Sequence, residues 1–322
     1  MRRLLKFAGW TLVVLLVVVC LTAAGFRVAA AWRETASAAD LAPAAGQFVT
    51  TRSGRVFIQE AGPRDGVPVV LFHGTAAWSE LWRATMTALA GERYRVIALD
   101  IPPFGFSDRP GTYTRADQAA RVRDVLDALA LPPAIIVGHS FGAGAAVETV
   151  LRAPERVRGL VLIDAALGLT NQEPASPPAL MRYGPLRDTL VSLTVTNPLM
   201  TRTLLASLIE KKERAALYVD LLQRPMVVRD TTHDLGLWLL YFLGDDRDAR
   251  SAQRGAYATI DKKVAILWGD KDTVTPLAQA EDLRTLMPAA RLTILPGLGH
   301  IPQIEDPNAF NRALVARLGE MK

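Results

Sequence analysis

The chain has 322 residues, half of them apolar and 21% charged, with a net charge of +5; this composition suits a large globular core and excludes a disordered chain. Arg and Lys are scattered rather than gathered into a stripe, so nucleic-acid binding is not expected. The one cysteine, Cys20, excludes an internal disulfide and paired-Cys zinc sites, and His73, His139, His233 and His300 are not spaced as a metal motif.

Taken in chain order, Arg2, Arg3 and Lys6 precede a charge-free stretch from Phe7 to Phe26. As a helix this stretch would span ~30 Å, the thickness of a bilayer's hydrocarbon core. It predicts a single-pass signal-anchor over 1–28, with the basic end cytoplasmic and the remaining chain outside. A cleaved signal peptide is the alternative, with Ala29 and Ala31 as a weak cleavage site. Residues 29–46, Ala-rich with Pro43 and Gly46, read as a linker.

From Gln47 the pattern alternates. Strands are expected over Phe48 to Thr51, Arg55 to Ala61, Val67 to Phe72 and Tyr94 to Leu99, with a helix over Trp78 to Ala90. A helix over Thr114 to Ala130 carries Val122, Val125, Leu126 and Leu129 on one face and stops at Pro132-Pro133. Further strands follow over Ala134 to Val137, Val157 to Ile163, Val264 to Trp268 and Arg291 to Leu295. They are separated by helices over Ala143 to Leu151 and Leu277 to Met287, and a last helix covers Pro307 to Leu318. Strands alternating with helices imply an α/β fold with a mostly parallel sheet, covered on both faces. The stretch 167–259 breaks the alternation: it is Pro-rich at first (Pro174, Pro177, Pro178, Pro185), and its remainder reads as helices, including Pro198 to Lys211 and Glu213 to Gln223. A structureless loop of that length is implausible inside a compact domain, so a helical insertion is expected.

Three features point to nucleophilic chemistry. Gly138-His139-Ser140-Phe141-Gly142 is a G-x-S-x-G between a strand and a helix. The sharp turn needs small flanking residues, and it projects the serine hydroxyl at a helix N-terminus, where dipole and N–H groups favour a developing anion. Asp272 follows the strand that ends near Trp268, and His300 follows the last strand in Gly297-Leu298-Gly299-His300. The order Ser, Asp, His suits Ser140 as nucleophile, His300 as base and Asp272 as the acid that orients the base. The backbone N–H of Phe141, with that of Thr75 (or, second, Ala76) after His73-Gly74, would hold an oxyanion; His73 itself reads as structural.

These residues give the chain a resemblance to the α/β-hydrolase fold superfamily, from about Gln47 onward. The matching pieces are His73-Gly74, Gly138 to Gly142, Gly269-Asp270-Lys271-Asp272 and Gly299-His300. Asp100 to Asp108 resembles the family's D-x-P-G-x-G-x-S loop, with Pro103 in place of the first glycine. The resemblance implies an eight-stranded sheet and a helical cap inserted after the sixth strand. The core would then be 47–166 and 260–322, the cap 167–259, and no cofactor would be needed. Related haloalkane dehalogenases and epoxide hydrolases carry an aspartate at the elbow. Ser140 instead implies an acyl-enzyme from an ester-like carbonyl. Some relatives carry the acid after the sixth strand, which makes Asp164 the runner-up to Asp272. Asp270 reads as shaping its loop. His233 reads as satisfied or exposed rather than substrate-binding. Trp238 to Phe242 would line a greasy cavity or form the cap's own core. The expected activity is that of a membrane-anchored carboxylesterase or lipase-like enzyme acting on a hydrophobic small-molecule ester. Carbon–carbon hydrolysis and perhydrolysis use the same triad, and a non-catalytic binding protein of this fold is the reading from a different class.

Overall fold

A computed structural model of the chain describes residues 2–169, 176–246 and 248–322; Pro174 of the Pro-rich stretch lies outside them. The chain opens with one long helix, α1 (Arg2–Arg33), whose span Gly9–Arg33 has a mean hydropathy of 2.5 and is long and apolar enough to cross a membrane. A single turn, α2 (Ala38–Leu41), leads into a hairpin of β1 (Gly46–Thr51) and β2 (Gly54–Ala61), which turns at Gly54 with φ +106°. Then follow β3 (Val67–Phe72), α3 (Arg83–Gly91), β4 (Tyr94–Leu99), α4 (Arg115–Ala128), β5 (Ala134–His139), α5 (Gly142–Arg152) and β6 (Val157–Ile163). Four helices intervene: α6 (Gly184–Leu193), α7 (Thr201–Leu208), α8 (Val219–Gln223) and α9 (Thr231–Leu240). The alternation resumes with β7 (Lys263–Gly269), α10 (Leu277–Leu286), β8 (Arg291–Leu295), α11 (Pro302–Glu305) and α12 (Pro307–Gly319).

The eight strands form one sheet in the order β1-β2-β4-β3-β5-β6-β7-β8. β2 runs antiparallel to both neighbours and every other pairing is parallel. The parallel strands are near-continuous apolar runs because both their faces are covered. Val70, Phe72, Ile136, Leu160, Leu162 and Ile266 point to the side of α4, α5 and α10, against Val122, Val147 and Leu283. Their alternates Val69, Leu71, Ile135, Val137, Val161 and Leu267 meet Met86 and Leu89 of α3 and Phe310, Leu314 and Leu318 of α12. Thr114 caps α4 by accepting from the Asp117 N–H at 3.0 Å.

Two differences from the sequence reading stand out. The helix expected over Trp78 to Ala90 starts as a 3₁₀ turn over Ser79–Trp82, whose first N–H, that of Ser79, donates to the Asp100 carboxylate at 2.7 Å. Residues 29–46 are not a plain spacer. α1 runs on to Arg33, whose guanidinium donates to the Thr196 carbonyl at 2.9 Å. Ala36 then pairs with the chain around Val228, through Ala36 N–H to Val227 O at 3.2 Å and Arg229 N–H to Ala36 O at 3.0 Å.

Candidate active site

β5 ends at His139, and the next residue, Ser140, has φ +50°, a conformation that is rare for a residue with a side chain. Its backbone is over-determined. Ser140 N–H donates to Ile163 O of β6 at 3.0 Å, and its carbonyl accepts from Ala143 and Ala166, each at 3.1 Å. The flanking glycines are required by packing. A Cβ at Gly138 would lie 2.7 Å from the Ala143 Cα, and one at Gly142 would lie 2.4 Å from the His73 carbonyl oxygen. The chain therefore has to turn here, and the Ser140 hydroxyl projects beside the start of α5.

Asp272 lies in the turn after β7, and His300 after β8. His300 Nε2 is 2.8 Å from Ser140 Oγ, and His300 Nδ1 is 2.8 Å from Asp272 Oδ2. A carboxylate only accepts, so Nδ1 carries the proton and Nε2 is left to accept from the serine hydroxyl. Asp272 is held in turn by Thr275, whose hydroxyl donates to Oδ2 at 2.6 Å, and by the N–H groups of Val274 and Thr275 on Oδ1 at 2.7 and 2.9 Å. Burial pushes the Asp272 carboxyl up, but the bonds from His300 and Thr275 together outweigh burial and hold it below 3.8. Thr275 had no signal in the sequence beyond lying three residues after Asp272.

Asp164, at the end of β6 with φ +41°, is fully buried beside this pair. Its Oδ1 accepts from Gly269 N–H at 2.9 Å, and its carboxyl group faces that of Asp272, to which it can donate when protonated. Burial, then the neighbouring Asp272 charge, raise it well above 3.8. Asp270 accepts from Gly297 N–H at 2.6 Å and ties two loops together. His73 spends both ring nitrogens on backbone: Nδ1–H donates to Gly74 O at 2.8 Å, and Nε2 accepts from Ile101 N–H at 2.9 Å. Burial lowers it to about 4. The loop from Asp100 to Asp108 is organised by Asp100, whose second oxygen accepts from Phe106 N–H at 2.8 Å across Gly105, where φ is +64°.

Above Ser140 lies a cavity of about 280 Å³. Its floor is Gly74, His139, Ser140 and His300, and its walls are mostly apolar, from Leu204, Leu205 and Leu208 of α7, Leu222 of α8, Val195 and Met226. Thr75, Ser207, Phe242 and Val274 line it while staying solvent-exposed, so they form its rim. Phe141 starts α5, its ring buried against Phe104 and Trp238 at centroid distances of 5.9 and 5.1 Å. Of Trp238 to Phe242, Trp238 packs in the interior and Phe242 reaches the cavity. His233 sits away from it, half-exposed, 3.0 Å from Asp188. Among the described residues, no group of three or more His, Cys, Asp or Glu is arranged to hold a metal.

Comparison with known proteins fits this architecture. Residues 67–307 match the family described as alpha/beta hydrolase fold. LipZ of Mycobacterium tuberculosis, a hydrolase by its name, is 28% identical over 284 residues, covering 85% of this chain and 95% of its own. Among solved structures, the meta-cleavage product hydrolase CumD of Pseudomonas fluorescens IP01 superposes with a TM-score of 0.67 at 27% identity, over 86% of this chain and 98% of its own. A membrane phospholipase A shares the fold over 100% of this chain and 99% of its own, with a TM-score of 0.67 and 24% identity. The chain belongs to the α/β-hydrolase fold family and is a hydrolase of that family.

Proposed function

We propose that this chain hydrolyses carboxylic esters with a hydrophobic part, through an acyl-enzyme on Ser140. His300 takes the Ser140 proton as Oγ attacks the carbonyl and passes it to the leaving alcohol. Asp272 keeps the imidazole in the tautomer that accepts at Nε2 and steadies the imidazolium. The N–H groups of Phe141 and Thr75 receive the oxyanion; one such donor is worth about 3 kcal/mol in the transition state. Water activated by His300 then releases the acid. The insertion 167–259 acts as a cap over the core segments 47–166 and 260–322.

The observation that carries this reading is the unbroken hydrogen-bond chain Ser140–His300–Asp272 at the floor of an apolar cavity. Among the described residues, the cavity lining includes no Lys or Arg, which favours an uncharged, greasy substrate. We further propose that residues 1–28 anchor the chain, with Arg2, Arg3 and Lys6 on the cytoplasmic side and the hydrolase outside. The second reading is carbon–carbon bond hydrolysis, favoured by the 27% identity to CumD.

The test is hydrolysis of a chain-length series of p-nitrophenyl esters by the full-length protein, with Ser140→Ala as control. Turnover that rises with acyl length and vanishes in the variant supports the ester reading. No turnover of any ester by folded protein moves carbon–carbon hydrolysis ahead of it.

A further inference from the structure

Gln223 ends α8 and Thr201 begins α7, and both line the cavity above Ser140, among the apolar side chains of Leu204, Leu205, Leu222 and Met226. The Gln223 amide donates from Nε2 to Thr201 Oγ1. Thr201 spends its own hydroxyl proton on the Asn197 carbonyl at 3.4 Å, so toward the amide it only accepts. One Nε2 proton is thereby bonded. Oε1 and the other Nε2 proton have no partner among the described residues. Gln223 is half-buried and its Oε1 is not enclosed by protein, so a molecule in the cavity can reach it. Thr201 is only 7% exposed and lines the cavity, so the amide head bonded to it lies on the cavity wall.

A link between two helices needs one group of the amide. Methionine at this position would pack α8 against α7 with no polar head left over. Gln223 therefore brings a surplus acceptor and donor to a mostly apolar wall, where such groups are costly unless something bonds them. Ser207, on the rim, offers no such surplus, because its hydroxyl donates to Leu204 O at 2.6 Å. Among the described residues the lining holds no Lys, Arg, Asp or Glu to match a charged group, so the partner of the amide is neutral. A hydroxyl is the neutral group that donates to Oε1 and accepts from Nε2–H through a single oxygen.

We propose that Gln223 determines specificity, and that the substrate is an ester whose apolar chain carries a hydroxyl group, received by the free side of the Gln223 amide. The proposal rests on the ester reading above and narrows its greasy substrate to a chain with one neutral polar group. A plain alkyl chain would displace water from Oε1 and return no hydrogen bond, so the site discriminates against it. Leu204, Leu205, Leu222 and Met226 hold the apolar part of either chain, and the difference between the two is made at Gln223.

Full-length protein is given two series of esters over a range of chain lengths, and the released acid is titrated. Methyl esters of ω-hydroxy acids are set against methyl esters of methyl-terminated acids of equal length, which probes the acyl side. Acetates of α,ω-diols are set against acetates of alkanols of equal length, which probes the alcohol side. In one series, at its best length, we expect kcat/KM about fivefold higher for the hydroxylated ester. Gln223→Met keeps the length of the side chain and removes the amide, so the ratio should fall to one or below. Thr201→Val removes the same bond between helices and leaves the amide, so the preference should stay within about twofold of wild type. A pair that only staples α7 to α8 would shift both esters alike in both variants. That result, or a wild-type ratio of one at every length in both series, overturns the role of Gln223 while the ester reading stands. A wild-type chain that hydrolyses no ester of either series overturns both.

Discussion

Two aspartates from the ends of neighbouring strands lie side by side, and their environments drive them apart. Asp272 is surrounded by donors and held below 3.8; Asp164 has one donor, is fully buried and faces the Asp272 carboxylate, and is raised well above 3.8. His300 bonds the ionised one. Asp272→Asn should therefore cost roughly 10³–10⁴ in kcat, because an amide at this point stabilises the wrong tautomer. Asp164→Asn should leave kcat within about threefold, since the amide oxygen still accepts from Gly269 and the new N–H points toward a carboxylate. The stability effect has a definite sign. Asp164 binds its proton more tightly in the folded chain than in the unfolded one. The stability tied to that proton is full below 3.8 and is lost as pH rises through the raised folded value. Asn has no proton to lose. The melting temperature of Asp164→Asn relative to wild type should thus climb as the pH rises above 3.8 and level off once Asp164 has lost its proton in the folded chain. A difference independent of pH would mean that Asp164 binds its proton no more tightly folded than unfolded.

One side chain ties the end of α1 to the start of α9. α9 starts after Asp230, which gives no side-chain bond to the helix; Glu34 supplies it from 198 residues away. Its carboxylate accepts from Thr232 N–H at 2.9 Å and from the Thr232 hydroxyl. A negative charge at a helix N-terminus also suits the helix dipole. Glu34→Ala should cost about 1–2 kcal/mol. It should be read as a melting temperature lowered by about 2–4 °C and as faster proteolytic nicking in 176–246. An unchanged melting curve would show that the joint adds nothing to stability. This contact has no local signal in the sequence, because Glu34 and Thr232 lie far apart in the chain. By contrast β3, β4 and β6 were legible to the residue, because apolar runs between turn residues suit a buried strand. The site divides in the same way. Ser140, Asp272 and His300 stand in motifs whose glycines are needed by close backbone approach. Thr275 and the cavity walls depend on packing between segments, which no local pattern records.

At the scale of the whole molecule, the apolar helix and the walls of the cavity are one unit. α1 ends against α6, with Arg27 3.9 Å from Asp188, Arg33 on Thr196 and Glu34 on α9. The neighbouring α7, α8 and Met226 wall the cavity. Around this joint Trp32, Leu180, Tyr183 and Leu199 are exposed, although apolar groups are the kind folding tends to bury. Aromatic residues at the end of an apolar helix suit a membrane–water interface. If α1 spans a bilayer, these residues sit at its surface, and the cavity rim faces a reservoir of acyl chains. The double variant Tyr183→Glu/Leu199→Glu, in the full-length protein, places two carboxylates on that face without touching Ser140, Asp272, His300 or the cavity lining. Each charge should weaken seating at the interface by about 1 kcal/mol. Hydrolysis of a long-chain ester embedded in phospholipid vesicles should then fall about tenfold or more, while hydrolysis of a water-soluble short-chain ester stays at the wild-type rate. Equal loss on both substrates would indicate damage to the fold. An unchanged ratio would show that this face does not meet the bilayer, and that substrate reaches Ser140 from the aqueous side.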